Sequence, residues 1–533
     1  MTMNDKINLI VLLVSLFLGV SCYEKDENYE YGPKVEFSIS GIENVYEKTA
    51  LVDTLHIDPI IHMDDPNHEL EYEWSMFLNY EDNLYTPEHV PTWVISNEKT
   101  LNYLIVEKPE TYSVVLKVVN KTTNQEIYAM SRLEVTNEFS EGFYVLKEVN
   151  GETDMDLHIS ENQRIENLLY NKNGRRIAGT PNSLNVFLKY SYLDTVTATY
   201  RPTTALAVAT NQDFHIIDIA DMGTIYDHAN MFYSGRAESE EPLFASFVTY
   251  GAAYVSNKGI NFSNYDLIYG EGGVGKFGDK LSIDGNCKPN KHIVVSSTGT
   301  YYFDELNGRF LACSDNGLLL PFDNSYAGMN PGHGYLPNDI VLELKFMGNH
   351  EMISDQPWAF AIMQDEGGKS YLYELEMPDA MEMMMADWGM DVLYNPIQMV
   401  TEISNQKIAQ AKLWATNEKL AKVIYFVTDG KLYSYNINEK KETELTLQGL
   451  GAGEEIVYLR NRYWTGGTKD FNYLAVGTHS GDRYKVYFYE LQGATPTGVP
   501  VRILEGEGKV ASVHYVTPEF DAITSRTDYP LSF

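Results

Sequence analysis

The sequence predicts an all-β protein: an Ig-like β-sandwich near the N-terminus, followed by a β-propeller of about seven blades. Three observations carry that prediction. Short runs with apolar residues at every second position fill residues 34–136. From residue 142 onward, pairs of such runs recur with turn residues between them. The chain of 533 residues also contains 39 Tyr and is 44% apolar, so it has both strand formers and enough apolar surface for more than one core.

Within 34–136 the runs VEFSISGI, LVDTLHIDPII, ELEYEWSMF, TLNYLIVE, TYSVVLKVVN and IYAMSRLEVT are separated by Gly, Asn, Asp and Pro. Period two places alternate side chains on one face, so about seven strands of a sandwich are expected. Trp74 lies in the middle of one run. An inward Trp on a central strand is what such a core requires, and a sugar-stacking platform is the weaker reading. The acidic stretch 64–69, DDPNHE, lacks the spaced carboxylates of a calcium loop and is expected to be a solvated turn.

Residues 137–141 form a short polar joint, and the propeller is expected over 142–533. Seven strand pairs begin near residues 143, 205, 243, 292, 358, 422 and 473. Their spacing of about 40 to 65 residues is that of blades carrying inserted loops. Turn residues such as Asn211, Gly367, Gly368, Asp429, Gly430 and Gly481 sit between the partners. The run KVASVHYV at 509–516 follows the seventh pair and is placed to complete the first blade, closing the ring. Six or eight blades fit the same spacing, and two stacked sandwiches are the rival architecture. The stretch 377–401 breaks the pattern with its methionines and is expected to be a short helix or a long inter-strand loop.

The N-terminus reads as a targeting segment. Residues 7–20, INLIVLLVSLFLGV, follow Lys6 and end at Ser21 and Cys22, the layout of a secretory signal and too short for a comfortable membrane span. Small residues before a cysteine resemble the bacterial lipobox, with Gly19 where Leu is usual; that resemblance implies a signal peptide at 1–21 and lipid attachment at Cys22. Residues 22–33 then form an acidic tether. A Lys followed by acidic residues at this place resembles the signal that sends Bacteroidetes lipoproteins to the outer face of the outer membrane.

Trp74 and the run 112–120, YSVVLKVVN, resemble the middle and late strands of PKD-like domains. After Trp74 the sequence reads Ser75-Met76-Phe77-Leu78 in place of the WDFGDG loop, so the resemblance is to the divergent branch. Lipobox, tether, sandwich and β-repeat region together resemble the PKD-like family lipoproteins of Bacteroidetes. The resemblance implies a surface accessory of a Sus-like uptake system, non-catalytic, that binds a glycan or peptide nutrient or scaffolds an outer-membrane transporter complex. The alternative is a propeller-fold glycoside hydrolase or polysaccharide lyase acting on extracellular polymer.

Composition restricts the partners. The 75 Asp and Glu against 40 Lys and Arg leave a formal charge of −35, which excludes a general affinity for nucleic acid and other polyanions. Three cysteines cannot form a disulfide framework; beyond Cys22, Cys287 and Cys313 are expected either to pair or to stay as buried thiols. No HExxH, GxSxG or CxxC occurs, and neither metal nor cofactor is expected. Residues 270–276, GEGGVGK, match part of a phosphate-binding loop, but Phe277 stands where Ser or Thr must hold magnesium, so a glycine-rich connection is expected. Aromatic residues on three long connections are the candidate ligand contacts: Tyr326 and Tyr335, Trp388 and Tyr394, and Tyr463 and Trp464. Their faces stack on sugar rings or peptide side chains, while neighbouring amides and carboxylates meet polar edges.

Overall fold

The computed structural model describes residues 37–65, 67–79, 90–194, 199–235, 239–248, 251–264, 274–281, 286–296, 299–313, 319–321, 342–350, 357–377, 397–464 and 471–517. Among the described residues, nine strands precede residue 137. Five form one sheet in the order Val45–Thr49, Gln125–Thr136, Thr111–Asn120, Leu70–Leu78, Trp93–Ser96, with the first pair parallel. Phe37–Ser40 pairs with Ile60–Met63, and Thr54–Ile57 with Leu101–Leu104. Along Thr111–Asn120 the side chains of Tyr112, Val114, Leu116 and Val118 are buried, while Val115, Lys117 and Val119 are half-exposed. The period-two pattern is thus the inner and outer faces of this sheet. Trp74 is buried in the sandwich core, and its indole N–H donates to the carbonyls of Glu98 and Lys99 at 3.0 and 3.3 Å. That bond satisfies the one polar atom of an otherwise apolar ring and leaves no face for a sugar. At 64–69, the Asp65 carboxylate accepts from the backbone N–H and side-chain amide of Asn67, a local turn.

After the joint, seven further sheets appear among the described residues. The first contains Lys509–Val516, Gly142–Val149, Glu152–His158 and Arg164–Ile165; the second contains Pro181–Asp194, Thr199–Thr210, Phe214–Asp218 and Thr224–Asp227. The third begins at Pro242–Val248, the fourth at Val294–Ser296, the fifth at Leu342–His350, the sixth at Leu413–Thr416 and the seventh at Glu455–Trp464. One short α-helix, Leu168–Asn173, buries Leu168 and Leu169 beside the first sheet and ends at Gly174, whose φ of 70° suits glycine.

The arrangement of the cores decides between a ring and a stack. Each sheet shares one apolar cluster with the sheet before it and another with the sheet after it. Tyr144 and Leu157 of the first pack with Leu184 and Leu206 of the second, and Phe214 of the second packs with Tyr254 of the third. Val255 then meets Tyr302, Phe310 meets Tyr373, Phe360 meets Phe426, and Tyr425 meets Leu474. Finally Phe488 of the seventh sheet packs with Val145 and Val513 of the first. Two stacked sandwiches would give each sheet one partner; here each has two, and the series returns to its start. This is a β-propeller.

The ring is closed by Lys509–Val516, which runs antiparallel to Gly142–Val149, with Val145 opposite Val513. The first blade therefore takes a strand from the far end of the chain, which removes the open edge. Many of the Tyr residues are interior packing: Tyr144, Tyr190, Tyr254, Tyr302, Tyr425 and Tyr484 are among the largest fully buried side chains. Cys287 and Cys313 are not joined in a disulfide, and both pack in the cluster between the third and fourth blades. Of the stretch 377–401, Met377 is buried and Ile397–Glu402 is the fourth strand of the fifth blade; residues 378–396, where a helix or loop is expected, lie outside the described residues.

Candidate binding cleft

The joint is packed against the propeller. Phe139 is buried in the cluster between the first two blades, and the Asn137 amide donates to the Ala220 carbonyl at 2.6 Å. This seats one end of the sandwich above the second blade. Between them lies a cleft of about 470 Å³.

The sandwich wall is made by Leu78, Pro91 and Trp93 at strand ends and by the loop 106–110. The fold of that loop follows from Tyr112, whose hydroxyl donates to the Lys108 carbonyl at 2.9 Å. A Tyr at the start of a strand that bonds back four residues ties the preceding corner to the sandwich. Lys108 is thereby aimed at the propeller, its ammonium 3.6 Å from a carboxylate oxygen of both Asp218 and Asp221. The edge of Trp93 meets Tyr112 with ring centroids 6.1 Å apart.

The blade wall carries Tyr192, Tyr200, Arg201, Pro202, Thr203 and Asp218. Asp218 is almost fully buried and accepts from the Thr203 hydroxyl at 2.6 Å, the Ala220 N–H at 2.9 Å and the Tyr192 hydroxyl at 3.1 Å. Arg201 is held 3.2 Å from Asp194. Glu107 accepts from the Tyr103 hydroxyl at 2.8 Å and the Val106 N–H at 3.1 Å. Burial, reinforced by neighbouring carboxylates, raises the phenol pKa values of Tyr112 and Tyr192 far above the usual range, so both remain O–H donors in neutral water. The Asp218 oxygens thus already accept from three donors, and ring faces beside paired polar groups line the cleft.

A second cavity of about 450 Å³ adjoins it, lined by Tyr192, Asp194, Tyr226, Tyr233, Val274 and Lys276. Its far wall is the end of the glycine-rich connection. Phe277 is fully buried, the Tyr226 hydroxyl donates to the Val274 carbonyl at 2.6 Å, and Tyr190 donates to the Gly275 carbonyl. Gly275 has φ +69°, and a Cβ there would stand 2.5 Å from the Tyr190 hydroxyl, so glycine is required at that position. Lys276 lies over the Tyr226 ring, 5.3 Å from its centroid. This part of the connection is docked onto the blade through packing and hydrogen bonds.

Most of the sequence-predicted contacts are not among the described side chains. Tyr326, Tyr335, Trp388 and Tyr394 are outside the described residues, as is Cys22, and the side chain of Trp464 is not described. Tyr463 is half-buried on the first strand of the seventh blade, opposite Asn472. The rings of the cleft, Trp93, Tyr112, Tyr192 and Tyr200, come from strand ends. In sequence they look like ordinary strand residues, and the nearest signal is the charged loop 107–110 just before Tyr112. Among the described residues, no group of three or more His, Cys, Asp or Glu is placed to hold a metal ion, and no helix is long and apolar enough to cross a membrane.

Residues 22–181 match the PKD-like family. The resemblance carried by Trp74 and the run 112–120 therefore holds, and the match extends past the sandwich over the strands Gly142–Val149, Glu152–His158 and Arg164–Ile165. Among solved structures, a quinoprotein alcohol dehydrogenase-like protein from Bacteroides thetaiotaomicron is 12% identical, with 91% of this chain and 100% of that one covered and a TM-score of 0.33. A DUF4784 family protein from Bacteroides caccae is 9% identical over 77% of this chain and 95% of that one, TM-score 0.29. AztD from Citrobacter koseri is 10% identical over 83% and 99%, TM-score 0.32. Scores this low say nothing about function. No curated protein matches the chain in sequence.

Proposed function

We propose that this chain is a lipid-anchored protein of the outer membrane, facing the cell exterior, which holds a nutrient glycan or peptide without cleaving it and serves a Sus-like transporter complex. The observation that carries the binding part is the cleft where the PKD-like sandwich meets the second blade, lined by Trp93, Tyr112, Tyr192 and Tyr200 between matched charges. The anchoring part rests on the signal-like segment 7–20 and Cys22, and the transporter on the family resemblance.

A glycan and peptide array probed with the purified chain, followed by analysis of the retained ligand, tests the binding part. Retention of intact ligand, lost in Trp93→Ala and Tyr200→Ala, is expected. Shortened products would instead make the protein a hydrolase or lyase. Tyr326, Tyr335, Trp388, Tyr394, Tyr463 and Trp464 are proposed as further contacts, and Trp388→Ala with Trp464→Ala separates their share from that of the cleft. Cys22→Ala should release the protein from the membrane fraction, and an impermeant protease added to whole cells should degrade the wild type. Isolation of the lipoprotein in detergent should bring transporter subunits with it.

A further inference from the structure

We infer that the cleft and the neighbouring cavity are two stretches of one groove, and that this groove takes an uncharged oligosaccharide chain. The inference rests on the binding reading above and specifies its ligand. Tyr192 lines both cavities, and Asp194, on the wall of the second, is the partner of Arg201 on the wall of the first. Each is large enough for a small ligand by itself, so together they suit a chain of several units. Tyr200 in one and Tyr233 in the other are 39% and 55% exposed, which leaves ring surface for stacking in each cavity.

The charges argue for a neutral occupant. Each cation of the groove is already engaged: Lys108 with Asp218 and Asp221, Arg201 with Asp194, and Lys276 with the Tyr226 ring. Glu107 and Glu110 add negative charge on the sandwich side, so a uronate or sulfated chain would be repelled. What is offered is a mixture of donors and acceptors beside aromatic faces, which matches a polyol with apolar C–H faces. An extended peptide needs a strand edge to pair its backbone. The walls of the first cavity are strand ends and turns, with Trp93 at the first residue of its strand, while Thr224, Ile225 and Tyr226 of the blade's outer strand line the second, so a strand edge is offered along that stretch alone.

The test is a titration of the detergent-solubilised full chain with gluco-, manno- and xylo-oligosaccharides, disaccharide against octasaccharide. Oligogalacturonate and an uncharged peptide of similar length serve as contrasts. The octasaccharide of at least one series is expected to bind more tightly. Tyr233→Ala should cost the octasaccharide about three- to tenfold and leave the disaccharide unchanged. Tyr200→Ala should weaken both, with the thermal midpoints of both variants at the wild-type value. Equal affinity for short and long chains, indifference to Tyr233→Ala, or preference for oligogalacturonate would overturn the inference. Peptide binding that depends on Tyr200 would overturn the sugar assignment while keeping the cleft as a binding site. No binding by any probe in the set would remove both.

Discussion

Two regions of this molecule use the same residue types to opposite ends. At the closure of the ring, Lys147 and Asp156 are both fully buried with their charged atoms 2.6 Å apart, an ion pair without hydrogen-bond alignment. Asp156 also accepts from the Tyr484 hydroxyl at 2.7 Å and the Asn167 N–H at 2.8 Å, and His158 lies 3.0 Å from that hydroxyl. At the sandwich junction, Lys108 sits 3.6 Å from Asp218 and Asp221 with 39% of its side chain exposed. Lys, Asp and Tyr meet in both places. Without water they fix one arrangement, because separating them strands a charge in a low dielectric; beside water the pairing is weak and the rings stay available.

The contrast can be broken from its strong side first. Removing residues 509–516 deprives the first blade of its closing strand and should abolish cooperative unfolding; a truncated chain with an unchanged melting midpoint would refute the ring closure. Asp156→Ala leaves the Lys147 ammonium buried without its partner and should cost about 3–5 kcal/mol by urea denaturation. Lys147→Met combined with Asp156→Leu should recover most of that loss. If the single and double variants were equally unstable, packing and not charge would hold the closure.

Acid sharpens the same side. Burial lowers the pKa of His158 to about 4 and that of His514 to about 3, with the positive charges of Arg462 and Arg460 adding to the effect at His514. The unfolded chain takes up these protons below pH about 6.5, whereas the folded chain resists them. The contribution is therefore complete above about 6.5 and is lost as pH falls toward 4 and 3, with a slope of up to about 1.4 kcal/mol per pH unit for each histidine. His514→Gln should flatten the stability profile in that window.

On the weak side the effects shrink. Lys108→Ala should cost less than about 1 kcal/mol and become undetectable at high salt, since 39% of its side chain is exposed and its ion pairs are screened. Tyr200→Ala should leave stability within about 0.5 kcal/mol of wild type while weakening ligand retention. A large destabilisation by either would mean that the junction is a core and not a cleft.

In the sandwich the alternation made the strands legible, and in the blades the most legible strands are those buried on both faces. Phe214–Asp218 and Val423–Thr428 are buried at every position, and their continuous apolar runs stand out. Fourth strands such as Thr224–Asp227 and Lys441–Leu445 are mostly half-exposed to exposed, carry charges, and gave no comparable signal. The helix Leu168–Asn173 has a single turn and a half of pattern, and Asn167 before it adopts φ 50°, so neither periodicity nor a capping side chain announced it. The candidate site was less legible than the fold, because Trp93, Tyr192 and Tyr200 occupy strand positions that read as packing.

The sequence by itself determined the local order of this protein: the alternation that makes strands, the turn residues that pair them, the spacing at which the pairs recur and the acidic balance of the chain. These depend on neighbours along the chain, within reach of period and turn geometry. Closure of the ring by residues 509–516 was expected from the sequence as well; only the tertiary structure decided which side chains meet there and at the cleft. Tyr515 donates to Glu141 across 374 residues at the closure, Tyr484 reaches Asp156 across 328, and a loop of the sandwich touches a turn of the second blade to make the cleft. Contacts of that span leave no periodic trace, because they arise when finished sheets pack and enclose or expose side chains that look alike in the sequence.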